Sequence, residues 1–322
     1  MQKTILTIIL GISIFIQASS QNVEKYHDNI VQAFSLYNAK DYHNAVLAFE
    51  KAFNVLDGKA DPNHRYIAAC SYSLAGNIEK AFYHLTRLTN KNSNYSKYEL
   101  MINNSDLSSL HKDKRWKVII AAVKENKEDK EKLIPVIAIL ENIYSEDQKI
   151  RKQIFEKAKE LGRNSDEFKE IEKSIFKQDS INFEKIIKIL DTHGWLGHNL
   201  VGVEANLALF LVIQHADLKS QLKYLPIMRE ANKVGNLASS QLALVEDRVA
   251  LRQGNKQIYG SQVHWDEKAQ EYFVSPIIDP ENVDHRRTSM GLVPISEYVK
   301  SWNLTWDIKK HKLRKLIPEI KM

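Results

Sequence analysis

Residues 237–262 read LASSQLALVEDRVALRQGNKQIYGSQ, an apolar helical pattern that carries charged groups and leads into a polar run. On a helix with about 100° per residue, Asp247 falls between two alanines on one side and two leucines on the other. Burying an unpaired carboxylate is costly, so Asp247 is expected to be buried with partners or to line a pocket. The same geometry groups Gln241, Arg248 and Arg252 on one face, which is predicted to be exposed to solvent.

The partner of Asp247 is predicted to be a cation or a set of hydrogen-bond donors. Arg151 is the candidate cation, because a guanidinium can neutralise a buried carboxylate. The candidate donors are the side chains of His215, Gln257, Tyr259 and Gln262. Two interpretations stay open, a structural buried ion pair and a catalytic or ligand-binding carboxylate, since both perturb an acid.

A small β-hairpin is predicted after this helix. Residues 256–265 and 271–276 are rich in strand-forming side chains and are separated by a charged turn. Strand alternation puts Gln257 and Tyr259 on one face of the hairpin and Gln262 on the other. These three residues are the predicted ligand-orienting groups, together with Arg151.

A second apolar helix runs from Asn206 and is predicted to end near His215. On a continuous helix His215 and Asp217 would lie about 200° apart, so they could not bind one metal ion, and no metal site is predicted. At a helix C-terminus the dipole favours a protonated imidazole. His215 is therefore expected to be either a capping histidine or a general base, and Asp217 is a candidate ligand-binding residue.

Length and composition indicate an ordinary globular chain. The 322 residues are enough for two domains, and 43% hydrophobic with 27% charged residues excludes a disordered chain and a multi-span membrane protein. The single cysteine, Cys70, excludes an intramolecular disulfide and is predicted to be buried among small residues. The net charge is +6, but basic residues are not interleaved with aromatics, so nucleic-acid binding is not expected, and no cofactor motif is recognised.

Residues 1–20 are predicted to be a signal peptide. Lys3 precedes an apolar run at 5–16, and Ala18-Ser19-Ser20 offers small residues for cleavage. The run is shorter than the ~20 residues that span a bilayer. We therefore expect export to a periplasm or beyond, without stable membrane insertion after the signal is cleaved.

Residues 21–127 contain a weak internal repeat. A shift of 36 positions aligns Ala33 with Ala69, Ala45 with Ala81, and Phe49 with Leu85. Small residues let paired helices approach closely, and large residues fill the groove between them. The pattern resembles the tetratricopeptide repeat, whose second helix carries Ala, Phe and Ala as Ala45, Phe49 and Ala52 do here. The resemblance implies either a module that binds a peptide or protein partner, or a scaffold for the next domain.

The remaining residues, 128–322, are predicted to form a mainly helical domain with the hairpin near 256–276. The boundary is placed in the run of alternating charges at 124–132, which is typical of an exposed helix or linker. Residues 133–144 and 146–161 are expected to be separate helices, with a capping box beginning at Ser145. Asp147 and Arg151 are four residues apart, so they share a helix face and can pair. The predicted fold class is therefore mainly α, with tetratricopeptide-like repeats followed by a helical domain that bears a small C-terminal β-hairpin.

Several polar motifs in residues 133–306 resemble an uncharacterised bacterial family, a domain of unknown function. They are Asp147-Gln148-x-x-Arg151, Asp179-x-x-Asn182, Gly194-Trp195, Gln214-His215-Ala216-Asp217, Glu246-Asp247-Arg248 and Gln257-x-Tyr259-Gly260-Ser261-Gln262. The resemblance implies no activity, but it suggests an exported bacterial protein.

Two function classes follow from the sequence. The first is a non-enzymatic interaction and ligand-binding protein, with the repeats recruiting a peptide or protein. The second is a hydrolase acting on envelope or extracellular material, with Asp247 and His215 as acid and base. In both, the candidate ligand-binding residues are Arg151, Asp217, Gln257, Tyr259 and Gln262. No nucleophile motif or phosphate-binding loop favours a particular reaction.

Overall fold

The computed structural model of the chain describes residues 20–90, 93–161, 165–266 and 270–313. These residues are mainly helical and include a two-stranded antiparallel sheet near the C-terminus, which confirms the predicted fold class. In the described ranges, none of the helices has the length and apolar character needed to cross a bilayer. The predicted signal peptide lies outside the described residues, apart from Ser20.

The chain divides into two compact units. The N-terminal unit comprises residues 20–135 and Asn199–Val201, and the C-terminal unit comprises the described residues of 136–198 and 202–313. The boundary between the two units lies between Pro135 and Val136, eight residues beyond the predicted boundary at 127/128, and both positions fall inside helices. The alternating charges at 124–132 form exposed pairs along the first of these helices, such as Lys124 with Glu128 at 3.7 Å.

Helical hairpins build the N-terminal unit. Its helices are α1 (Ser20–Asn38), α2 (Tyr42–Val55), α3 (Pro62–Leu74), α4 (Ile78–Thr89), α5 (Tyr98–Ile102) and α6 (Lys114–Lys132), with a 3-10 helix at Ser105–Leu110. Helix α1 packs against α2, and α3 packs against α4. Cys70 on α3 is fully buried, as predicted.

The 36-residue repeat appears as the same turn in both hairpins. Lys40 and Gly76 occupy equivalent positions and both adopt a positive φ, +63° and +77°. The next residue in each copy, Asp41 or Asn77, caps the second helix by accepting a hydrogen bond from the amide three residues on. All six aligned apolar residues are fully buried. Small and large residues therefore fill corresponding positions in the two hairpins.

The helices and strands from residue 134 onward have the following bounds: α7 (Ile134–Leu161), α8 (Asp166–His193), α9 (His198–Val201), α10 (Val203–His215), α11 (Leu218–Lys233), α12 (Ser239–Arg252), β1 (Val263–Asp266), β2 (Glu271–Val274), α13 (Val283–Ser289), α14 (Ile295–Tyr298) and α15 (Ile308–Lys312). Short 3-10 helices occupy Pro280–Asn282 and Val299–Trp302. In the C-terminal unit α10 packs against α8, α11 and α12, and α11 also packs against α12.

Helix α7 is continuous where the sequence predicted two helices. Ser145, which was expected to cap the second of them, lies inside α7. Two polar residues that follow Ser145 form an ion pair instead of a cap: Arg151 Nη2 lies 3.1 Å from Asp147 Oδ1, one helical turn away. The predicted pairing of these two residues is confirmed, while the predicted helix break is wrong.

The β-hairpin is shorter than predicted. Strands β1 and β2 pair from Val263↔Val274 to Asp266↔Glu271. Residues 257–262, named here the polar loop, do not extend β1, and Gln257 makes an isolated bridge to Ile277. Gly260 explains the interruption, because its φ of +71° lies in the left-handed region that a regular strand cannot contain.

Gly260 also lies against the core under the hairpin. A Cβ at this position would lie 2.7 Å from Cδ1 of both Ile277 and Ile295, which are buried. The missing side chain therefore permits both the backbone conformation and the close approach of the loop to the core.

We predict that Gly260→Ala destabilises the protein by about 1–3 kcal/mol more than Gly254→Ala. Gly254 has a similar φ of +78° but nothing within 4 Å of its Cβ position, so it reports the cost of the backbone strain alone. Urea denaturation of the two variants measures the difference. Equal losses of stability would show that the packing at Gly260 does not matter.

Candidate functional site

The C-terminal end of α10 is held by side chains from α11 and α12. The carbonyl of Gln214 accepts hydrogen bonds from Arg248 Nη1 at 3.0 Å and from Gln221 Nε2 at 2.8 Å. The carbonyl of Ala216 accepts one from Arg252 Nη1 at 2.6 Å. The last carbonyls of a helix have no partner inside the helix, and cations are favoured near them. These contacts fix the position of the last turn of α10, which ends at His215.

The prediction that Arg248 lies on an exposed face of α12 is wrong. Arg248 and Arg252 do share a face, but Arg248 is only 5% exposed because this face covers the end of α10. Periodicity alone cannot tell a face that meets water from one that meets helix carbonyls.

A pocket of about 360 Å³ lies beside His215 in the C-terminal unit. Its lining residues come from α7, α8, α10 and the start of α11: Asp147, Phe176, Asp179, Ser180, Phe183, Glu184, Val212, His215, Ala216, Asp217 and Ser220. A volume of this size is in the range of small-molecule sites.

Arg151 joins two carboxylates of the pocket lining, although Arg151 itself is not part of that lining. Its Nε donates to Asp147 Oδ1 at 3.2 Å, and its Nη2 donates to both oxygens of Asp179 at 3.0 and 3.1 Å. Arg151 and Asp147 are each 5% exposed, whereas the Asp179 side chain is 29% exposed. Burial raises the pKa of Asp179 and Asp147 adds to the rise, while Arg151 opposes it.

His215 is the last residue of α10 and contributes its imidazole to the pocket wall. The ring is partly exposed, but Nε2 is covered and has no hydrogen-bond partner among the described residues. Burial holds the pKa of His215 well below its usual range, and the charges of Arg151, Arg248 and Arg252 lower it further. This direction is opposite to the one expected from the helix dipole, because burial and the nearby positive charges both favour the neutral imidazole.

Asp217 has two roles in the structure. It is the N-cap of α11, where its Oδ1 accepts a hydrogen bond from the Ser220 amide at 2.7 Å. Hydrogen bonds with Ser220 lower the pKa of this carboxyl. Asp217 also lines the pocket, so a local capping function and a position beside His215 occur in the same residue.

Asp247 is buried as predicted, but its partners are backbone amides rather than Arg151 or the imidazole of His215. Its Oδ1 accepts hydrogen bonds from the amides of Ile258 and Tyr259 at 2.6 and 2.9 Å, and its Oδ2 accepts one from the Ser261 amide at 2.8 Å. Burial raises the pKa of Asp247, and the three amides counteract the rise. The pocket lining does not include Asp247.

The other predicted hairpin residues also stabilise the polar loop. The buried side chain of Gln257 accepts from the amide of Gln262 at 2.8 Å and donates to the carbonyls of Gln262 and Ser275 at 3.1 and 2.6 Å. Gln262 in turn accepts from Arg248 at 3.3 Å through Oε1. The hydroxyl of Tyr259 donates to Glu246 at 3.2 Å. None of these three residues lines the described pocket.

Cations and a tyrosine satisfy the loop carbonyls. Arg286 donates to the carbonyl of Ile258 at 2.9 Å, and Arg287 donates to that of Tyr259 at 2.7 Å. The hydroxyl of Tyr298 donates to the carbonyl of Ser261 at 2.8 Å. Side chains thus supply the hydrogen bonds that a neighbouring strand would otherwise provide, as buried backbone groups require.

The sequence reasoning missed the contribution of α8 to the pocket. Asp179 was noted in a motif but given no role, and Glu184 was not singled out. A usable signal was present: the five α8 residues of the pocket wall have the spacing of one helix face. They are Phe176, Asp179, Ser180, Phe183 and Glu184. What the sequence lacks is the information that this face lies opposite the end of α10.

No group of three His, Cys, Asp or Glu side chains in the described ranges is arranged to hold a metal ion. Residues 137–311, more than half of the chain, match the model of a family of unknown function, DUF6624. No tetratricopeptide family model matches the N-terminal unit. No curated protein and no solved structure matches the chain.

We predict that Asp247→Asn destabilises the folded protein by about 2–4 kcal/mol, because the new amide group would direct a donor at a backbone donor of the polar loop. Glu246→Gln is the matched control. Glu246 is the adjacent residue on α12, and a glutamine there can still accept from Arg229 and pair with the Tyr259 hydroxyl, so a loss below about 1 kcal/mol is expected. Chemical denaturation measures both values, and similar losses would contradict the structural role of Asp247.

We also predict that His215 stays neutral across the pH range in which an ordinary histidine titrates, because burial and nearby arginines hold its pKa well below the ordinary value of 6.5. As the pH falls below that value, the unfolded chain gains a proton at His215 that the folded chain does not gain, so folding stability decreases. The NMR resonance of its ring carbon-bound proton, assigned with the His215→Gln variant, should not shift over this range. A midpoint near the ordinary value would refute the prediction.

Proposed function

We propose that this chain, which belongs to the DUF6624 family of unknown function, is a ligand-binding protein whose C-terminal unit binds a small molecule in the pocket beside His215. The observation that carries the proposal is a pocket of about 360 Å³ whose wall combines His215, four carboxylates and two phenylalanines. The Nε2 of His215 is covered and has no partner among the described residues, and such a polar atom is costly unless something other than the described fold requires it.

The ion pairs of Arg151 add support to this proposal. Taking Arg151 and Asp147 out of water costs free energy that a hydrophobic pair of similar volume would avoid. The network also holds Asp179 at the pocket wall, where the carboxylate is partly exposed. Rigidly positioned polar groups of this kind are what a specific ligand site requires.

The alternative function, a hydrolase with Asp247 and His215 as acid and base, has less support. A catalytic acid or base has to reach the reacting group. The oxygens of Asp247 already accept three amide hydrogen bonds, and the residue is fully buried. The neutral imidazole of His215 remains available for binding or for proton transfer.

We further propose that the protein is exported and that the N-terminal unit is a tetratricopeptide-like module that recruits a peptide or protein partner. The proposal of export rests on the signal-like composition of residues 1–20. The second part rests on the two equivalent helical hairpins, whose small and large residues repeat at the same positions.

We predict that Ser180→Trp reduces ligand binding at least about tenfold, because a large exposed side chain on α8 at the pocket wall would occupy the space of the ligand. The assay is saturation-transfer NMR of the full chain with a mixture of small cationic, neutral and anionic fragments.

The matched control is Ser174→Trp. Ser174 is also an exposed serine on α8 with its hydroxyl bonded to a helix carbonyl, but it does not line the pocket. Fragments that bind the unchanged protein should also bind Ser174→Trp. The pocket proposal fails if no fragment binds, or if every bound fragment binds Ser180→Trp equally well.

A further inference from the structure

We infer that the ligand of this pocket is an organic cation of the amine or guanidine class, carrying an apolar group next to its charge. The inference rests on the proposed function and names the chemical class that the pocket would take. Three features of the lining support it: charge, hydrogen-bonding capacity and the placement of apolar side chains.

The charge of the lining is mainly negative. Four carboxylates contribute to it, those of Asp147, Asp179, Glu184 and Asp217. Arg151 pairs with two of them, because its Nε and Nη2 are engaged by Asp147 and Asp179. A positive charge in the pocket would therefore be attracted, whereas an anion would meet like charges.

The more distant arginines do not reverse this balance. Arg248 and Arg252 donate to the carbonyls of Gln214 and Ala216, at the negative end of the α10 dipole. Neither arginine lines the pocket. Their charges add to the effect of burial in lowering the pKa of His215, and Arg252 also lowers the pKa of Asp217.

The hydrogen-bonding capacity of the lining calls for a ligand rich in donors. Carboxylate oxygens only accept hydrogen bonds, and a neutral imidazole has one acceptor nitrogen. The hydroxyl of Ser180 already donates to the carbonyl of Phe176. The covered Nε2 of His215 is a polar atom independent of the acidic residues, and it also lacks a partner among the described residues. An ammonium or guanidinium group supplies several donors at once.

The apolar part of the lining determines the rest of the ligand. Phe176 and Phe183 lie on the α8 side of the pocket, and Val212 and Ala216 on the α10 side. Phe176 is 51% exposed, so its ring is accessible to a ligand in the pocket. Phenylalanine rings attract cations and contact aliphatic or aromatic groups. An amine attached directly to an apolar group would contact both the carboxylates and the apolar side chains of the lining.

The test compares three probes with one skeleton, namely phenethylamine, phenethyl alcohol and 3-phenylpropionate, which are cationic, neutral and anionic. Calorimetric titration of the full chain should give an affinity for phenethylamine at least about tenfold higher than for the other two, since opposite charges contribute at short range. Raising the salt concentration should weaken the binding of the amine.

Two substitutions on α8 locate the binding. Asp179→Asn should weaken phenethylamine binding at least about tenfold, because it removes one negative charge of the lining. Asp191→Asn is the control, since Asp191 is an exposed carboxylate of the same helix that pairs with Lys223 away from the lining. Thermal melting shows whether Asp179→Asn folds. If it does not, Glu184→Gln on the exposed part of the wall replaces it, with the same direction of effect expected.

The outcomes separate this inference from the proposed function. Preferential binding of phenethylamine that depends on Asp179 or Glu184 supports the inference. Tighter or equal binding of the alcohol or the acid, or no binding of the amine at millimolar concentration, overturns it. None of those results decides whether the pocket binds a ligand at all. That proposal is tested separately by the fragment screen with Ser180→Trp, which uses fragments of all three charge classes.

Discussion

Three backbone amides of the polar loop converge on the carboxylate of Asp247, and the rest of the C-terminal unit depends on that contact. The loop could not be buried without it, because Gly260 interrupts the strand and leaves backbone donors without ladder partners. While Asp247 accepts from the amides, the carbonyls of the polar loop accept hydrogen bonds from Arg286, Arg287 and Tyr298. The backbone of the polar loop thus lies between the Asp247 carboxylate and the arginines, and it donates hydrogen bonds to the first and accepts them from the second.

Helix α12 connects this loop to the pocket. Asp247 reaches the loop from one side of the helix, while the adjacent Arg248 donates both to Gln262 of the loop and to the carbonyl of Gln214 at the end of α10. His215, the next residue after Gln214, is positioned by the same contacts. Asp247 and Arg248 therefore hold the polar loop and the end of α10, and neither of them lines the pocket.

Local patterns in the sequence predicted those features that depend on a single element. The apolar neighbours of Asp247 predicted its burial, the four-residue spacing predicted the ion pair of Asp147 with Arg151, and a 36-residue shift predicted equivalent helical hairpins. Features that depend on two elements were not predictable in this way. The burial of Arg248 depends on α10 lying over its face, and the role of Asp179 depends on α8 lying beside α7. Hydrophobic periodicity records which faces of an element are apolar, but it does not record what covers a polar face.

The pocket wall combines two kinds of residue that differ in how freely they can change. His215 and Asp217 are tied to the ends of α10 and α11, and the Arg151 network is buried, so substitutions there would disturb folding as well as binding. Ser180 and Glu184 of α8 are exposed and belong to the middle of a regular helix. Substitutions at Ser180 and Glu184 would therefore change the shape and charge of the pocket wall, while the surfaces of α10 to α12 that hold His215 remain as they are. The lining can diversify at these positions without putting the fold at risk.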